Sequence, residues 1–139
     1  MILPDIIFSK WTPWAARTDL DKIDLPGVYI LARFTTPPRG NADPHTKEVV
    51  YIGETCQTLE KRWRQFHRAA FEEKNGHSGG KNYRRTFGGN GDNLFVAAFR
   101  VNKLDLNDKL RPLFIRYVER KLIWEYAQKW CDAPECNKK

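Results

Sequence analysis

The side chains that could do chemistry gather around one tyrosine. Val49-Val50-Tyr51-Ile52-Gly53-Glu54-Thr55 is followed by Leu59-Glu60-Lys61-Arg62-Trp63-Arg64-Gln65-Phe66-His67, so Lys61, Arg62, Arg64, His67 and Arg68 crowd positive charge beside the Tyr51 phenol. Guanidinium groups bind phosphate oxygens bidentately and stay charged at any working pH, which suits a phosphate. The same residues also read as a solvated basic helix face beside a core tyrosine. Glu119 is a second candidate. It falls four residues after Ile115 and three before Leu122, on or beside an apolar helical stripe. A carboxylate there costs desolvation energy unless it is paired or binds a cation. Glu125, six residues on, is rotated to another face and reads as solvent-exposed. His77 is a lone histidine in Asn75-Gly76-His77-Ser78-Gly79-Gly80.

These groups need elements to position them. Pro26-Gly27 opens a strand, Val28 to Phe34, whose alternation sets Tyr29, Leu31 and Arg33 on one face and Val28, Ile30, Ala32 and Phe34 on the other. Thr35 to Lys47 holds two consecutive prolines, Gly40, Asn41 and Asp43-Pro44, so it is a loop. Glu48 to Gly53 is the return strand of a hairpin. A helix over about 58–73 follows, with Thr58 as its N-cap. The His77 loop comes next, then a short helix over Tyr83 to Phe87 stopped by Gly88-Gly89-Asn90-Gly91. Leu94 to Phe99 makes a third strand. Asn107-Asp108 precedes a long helix running to about Trp130, with Pro112 near its first turn, where proline is tolerated. Ile115, Val118, Leu122, Ile123 and Tyr126 form its core stripe. Residues 1–25 read as an extension packing on the core. Its Trp11 and Trp14 cover a core edge in preference to stacking on a nucleic-acid base, and Asp19, Asp21 and Asp24 form a solvated turn.

Bulk properties narrow the function. A chain of 139 residues is one domain by the usual size prior, and 41% hydrophobic residues give it a real core. The net charge of +7 favours a polyanionic partner. No apolar run reaches bilayer length and Met1 to Asp5 is no signal peptide, so a soluble, cytoplasmic protein with no membrane partner is expected. Cys56, Cys131 and Cys136 are an odd count without zinc-site spacing or a nearby histidine, so free thiols are expected.

Gly27-Val28-Tyr29, Tyr51-Ile52-Gly53, Arg62 eleven residues after Tyr51, His77 in a polar loop, Glu119 on a late helix and Asn137 near the end follow one order. That order resembles the GIY-YIG nuclease family, over roughly residues 26–138. Either tripeptide alone is a weak signal. The pair on successive strands, with an arginine on the next helix and a glutamate on a later one, is specific. The resemblance implies an α/β (α+β) domain over 26–139, a small three-stranded antiparallel sheet flanked by helices, that cleaves phosphodiester bonds with a divalent metal.

By the same resemblance, Tyr29 and Tyr51 match the two tyrosines, Arg62 the motif-helix arginine and Glu119 the metal ligand. His77 looks like a histidine of homing-type members, and Asn137 is similar to the late asparagine. Two departures stand out. The Tyr29–Tyr51 interval is long, and the family's histidine four residues after the arginine is Phe66 here, with His67 one later. One helical residue is about 100° of rotation, which favours His77 over His67 as the functional histidine.

Phosphodiester hydrolysis needs a nucleophile, charge stabilisation on the phosphate and help for the leaving oxygen. Glu119 would hold one Mg²⁺ or Mn²⁺, and Arg62 the scissile phosphate. Tyr29 would activate water, its phenol lowered by nearby cations, with Tyr51 orienting it or contacting the phosphate. Lys61, Arg64, Arg68, Lys81, Arg84, Arg85 and Asn137 are the expected nucleic-acid contacts, with no small-molecule cofactor. The expected substrate is DNA, with RNA left open. The alternative is a nucleic-acid-binding domain that keeps this fold without catalysis.

Overall fold

The strand Gly27–Arg33 is buried along almost its whole length, and everything else is placed around it. In the computed structural model, which describes residues 3–138, it is β2 of a four-stranded antiparallel sheet. The others are β1 (Thr12–Pro13), β3 (Val49–Thr55) and β4 (Leu94–Arg100), in the order β1-β4-β2-β3. Alternation sends Val28, Ile30 and Ala32 into one apolar layer and Tyr29 and Leu31 into another. Helix α3 (Leu110–Trp130) covers the first layer with Phe114, Ile115, Val118, Leu122 and Tyr126. Helices α1 (Leu59–Phe71) and α2 (Ser78–Phe87) cover the second with Leu59, Trp63, Phe66, Ala70 and Tyr83. The protein is thus mixed α+β, with the sheet as its middle layer. No helix among the described residues is long and apolar enough to cross a membrane.

The sheet has four strands where three are expected. Thr12 pairs with Val96 and Pro13 with Phe95, and Ser9 closes the same edge, donating its N–H to the Ala98 carbonyl at 2.9 Å. Two residues are too short for any periodicity, and a proline, lacking an N–H, fits only an edge strand. Trp11 buries itself in the α3 layer and Trp14 in the α1/α2 layer.

Helix α1 starts as its cap predicts, the Thr58 hydroxyl accepting the Lys61 N–H at 3.1 Å, and ends two residues early. Helix α2 begins five residues before the expected start. Its cap is the side chain of His77, whose Nδ1 accepts the Gly80 N–H at 3.0 Å. Histidine is not among the usual capping residues, and Gly79-Gly80 reads as a loop on propensity. Tertiary packing overrides that: a Cβ on Gly79 would lie 2.5 Å from the Tyr51 ring. Glu125 is also misread. The long β2–β3 loop lies against the end of α3, where Trp130 donates to the His45 carbonyl at 2.8 Å. His45 Nε2 then sits 3.0 Å and Lys121 Nζ 2.6 Å from the half-buried Glu125 carboxylate.

Asn137 has a structural task that its position in the chain does not reveal. It ends a 3₁₀ turn, Glu135–Asn137, that runs beside the edge strand β3. Its amide imitates a further strand, Oδ1 accepting the Ile52 N–H and Nδ2 donating to the Ile52 carbonyl, each at 2.9 Å. Each end of the amide thus has a strand-edge partner, and the half-exposed residue also lines the cavity that Tyr51 borders. Asn82 fixes the same turn by donating to the carbonyls of Cys136 at 3.0 Å and Lys138 at 2.8 Å. Replacing Asn137 by alanine should lower stability by roughly 1–3 kcal/mol, because two strand-edge groups lose their partners. Urea melts of the two proteins read this, and coincident midpoints would mean that water serves Ile52 equally well.

Candidate active site at the edge of the sheet

Strand register brings the two phenols together. Tyr29 lies opposite Gly53 and Leu31 opposite Tyr51, so the tyrosines are diagonal neighbours on one face. Their ring centroids are 6.0 Å apart. A Cβ on Gly53 would come within 2.6 Å of Tyr29 Cζ and Tyr51 Cε2, so this position has no room for a side chain. On its other side Tyr29 faces Ala98, again a small residue.

Tyr29 is 0% exposed, while Tyr51 reaches the wall of a cavity of about 770 Å³ beyond the β3 edge. Glu119 lines the same cavity, as do Lys81, Arg85 and Arg120. The phenol comes from one face of the sheet and the carboxylate from the helix on the other. They meet only because β3 is the last strand.

His77 stands behind Tyr29. It is 2% exposed, and its Nε2 lies 2.8 Å from the Tyr29 oxygen. Burial, helped by the Arg62 charge, pushes its pKa down to about 3, so the ring is neutral. Because Nδ1 accepts from Gly80, the ring proton sits on Nε2 and donates to Tyr29. His77 is therefore a neutral ring fixed between the Gly80 N–H and the Tyr29 hydroxyl. His67 is elsewhere: its Nδ1 accepts from Trp14 Nε1 at 3.1 Å and its ring stacks on Trp14. Phe66 fills the position four residues after Arg62 and meets the His77 ring edge-on at 5.3 Å.

The phenols shift opposite to the expectation. Burial raises Tyr29 well above its ordinary value and Tyr51 to about 12, outweighing the lowering by Arg62. Both are protonated at neutral pH, and the cavity wall belongs to Tyr51. Tyr29 as the water-facing base is thus not supported.

Arg62, half-buried on α1, donates to Gln65 Oε1 at 2.6 Å and to the Gly76 carbonyl at 3.4 Å. It lines a second hollow of about 290 Å³ with Glu54, Gln65 and Arg116. Glu54 is the carboxylate that the sequence reading missed. Strand alternation gives it the α3-facing side, since Ile52 two residues earlier packs there. Glu119 is 18% exposed, with Arg120 Nε 3.5 Å away. Burial, then the Glu54 charge, raises its carboxyl to about 7, against smaller opposing effects of Arg120 and Arg62. Among the described residues no group of three or more His, Cys, Asp or Glu side chains gathers to hold a metal.

The expected basic contacts divide. Lys81 and Arg85 line the cavity, and Lys61 and Arg68 are exposed on α1. Arg64 pairs with Glu60 at 3.2 Å. Arg84 is committed internally, donating to the Ala70 carbonyl at 3.1 Å and to Glu73 at 2.7 Å, so it braces α2 against α1. Cys56, Cys131 and Cys136 are free. Comparison with models of known families, with curated proteins and with solved structures finds no match.

Glu119 lends itself to a test that needs no substrate. Its folded carboxyl holds a proton to about pH 7, whereas the ordinary value is 4.5. As pH rises between those values the unfolded chain releases this proton first, so folded stability falls and then levels off. Glu119→Gln removes the effect. Without divalent cations, its melting temperature relative to the wild type should climb from pH 5 to pH 8. A constant difference across that range would show that the carboxyl titrates normally.

Proposed function

We propose that this chain is a divalent-metal-dependent endonuclease of the GIY-YIG type that hydrolyses phosphodiester bonds in DNA. The observation that carries the reading is one cavity lined by the Tyr51 phenol, the half-buried Glu119 carboxylate and the basic side chains of Lys81, Arg85 and Arg120. A site that only bound phosphate would gain little from a carboxyl that ionises near neutral pH, since its charged form repels the phosphate. A cation between them removes the conflict.

The residues fit one hydrated Mg²⁺ or Mn²⁺. Such ions keep several waters and take one or two carboxylates plus phosphate oxygens. Glu119 would be the first ligand, with Glu54 close enough for its charge to act on it. Bound there, the ion would supply Lewis acidity and positive charge at the phosphate. Lys81, Arg85 and Arg120 would hold the flanking phosphates. Arg62, whose charge acts on Tyr29, Tyr51, His77 and Glu119, would stabilise charge building on the scissile group. Tyr51 would orient the attacking water by a hydrogen bond from its protonated phenol. Tyr29, fixed by His77, would hold Tyr51 in place from behind.

Incubating supercoiled plasmid with Mg²⁺, beside an EDTA control, tests the reading. Glu119→Gln should abolish cutting while DNA affinity stays within a few-fold, and appreciable Mg²⁺-dependent cutting by it would remove Glu119 from the mechanism. Arg62→Ala should lose about a hundredfold or more in turnover and far less in affinity. Arg64→Ala should lose affinity only, and equal modest losses in both would make Arg62 part of a solvated basic face. Metal binding must displace the Glu119 proton, so half-saturating Mg²⁺ should rise about tenfold per pH unit below 7 and level off above it. A flat dependence from pH 5.5 to 8 argues against Glu119 as ligand.

A further inference from the structure

Helix α3 carries a second apolar stripe on the side away from the core. Leu113, Tyr117 and Trp124 are 62%, 56% and 64% exposed. At about 100° per residue they fall within about 40° of one another, and Arg120 sits between the two aromatics along the helix. Glu119 lies about 140° round from Trp124, with Arg116 and Arg120 in the interval. Arg120 lines the Tyr51–Glu119 cavity and Arg116 the separate hollow beside Arg62. The stripe is thus joined to the candidate cavity by Arg120, while Arg116 reaches toward the hollow that holds Arg62 and Glu54.

We propose that Tyr117, Arg120 and Trp124 form a stacking platform for unpaired DNA that leads a single strand to the Tyr51–Glu119 cavity. Exposed aromatic faces alternating with guanidinium groups match a strand whose phosphates are anionic and whose bases are flat and apolar. A duplex hides its base faces, so the platform is useful only where bases are unpaired. The protein's charge of +7 favours the same partner. A second copy of the chain fits less well, because Arg116 and Arg120 flank the stripe on each copy and would bring like charges together. The inference deepens the nuclease reading and rests on it: it assigns substrates with a single-stranded segment, such as overhangs or flaps.

Fluorescence anisotropy measures this, with Ca²⁺ replacing Mg²⁺ to suppress cutting, on a labelled 20-nucleotide single strand, a blunt duplex and a duplex with an overhang. The wild type should bind the single strand and the overhang more tightly than the blunt duplex. Trp124→Ala and Tyr117→Ala should each weaken single-strand binding on the order of tenfold and change duplex binding less than about twofold. Trp124→Phe should keep most of the affinity. Both positions are exposed, and circular dichroism verifies that each variant folds. Equal losses on strand and duplex, or none, overturn the platform, as does a wild-type dimer that Trp124→Ala disperses in sedimentation. A wild type that binds duplex well with no preference for unpaired DNA overturns the platform alone. One that binds neither overturns the nuclease proposal with it.

Discussion

A strand whose side chains alternate between two apolar layers must be covered on both faces, and β2 imposes that requirement on the whole chain. Its even residues need α3 and its odd residues need α1 and α2. The N-terminal segment answers the remaining demand, for β4 would otherwise expose a row of unpaired backbone groups. On the opposite side β3 has no further strand. A 3₁₀ turn and one asparagine side chain satisfy it at Ile52. That thin closure leaves the hollow into which Tyr51 and Glu119 open.

Burial also sets the protonation of the groups around that hollow. Desolvation is the largest influence on Tyr29, Tyr51, His77 and Glu119 alike, and in each it favours the neutral form. His77 is held neutral as a fixed donor, and the phenols are held protonated. Glu119 differs in degree, because its carboxyl near 7 is poised where modest added positive charge decides its state. In the proposed nuclease, substrate phosphate and metal would therefore be favoured together.

Helix α3 shows how one element serves two layers. Its inner face packs on the sheet, and its flank carries Glu119 toward the cavity. Its outer face keeps Tyr117 and Trp124 in solvent, although Trp130, on the same helix, is tied to the His45 carbonyl. The buried stripe is a folding feature, whereas the exposed residues contribute nothing to the core.

The sequence by itself determined the alternation of β2, the Thr58 cap and the inner stripe of α3, because each follows from a local period or a local hydrogen bond. It also singled out Tyr29, Tyr51, Arg62, His77 and Glu119 as residues of interest. What each of them touches, and how deeply it is buried, was decided by tertiary structure. Whether Asn137, Arg84 and Glu125 were free or committed depended on partners 85, 14 and 80 residues away in the chain. The two-residue strand β1 and the start of α2 at a histidine cap were equally hidden, since neither has a period to read. The upward shift of the phenols was set by how much water three packed layers exclude. Glu54 lies between these cases: its side of the strand was legible from Ile52, but its nearness to Glu119 exists only once α3 crosses the sheet. Local patterns encode which face a residue takes, and only folding brings two faces to one edge.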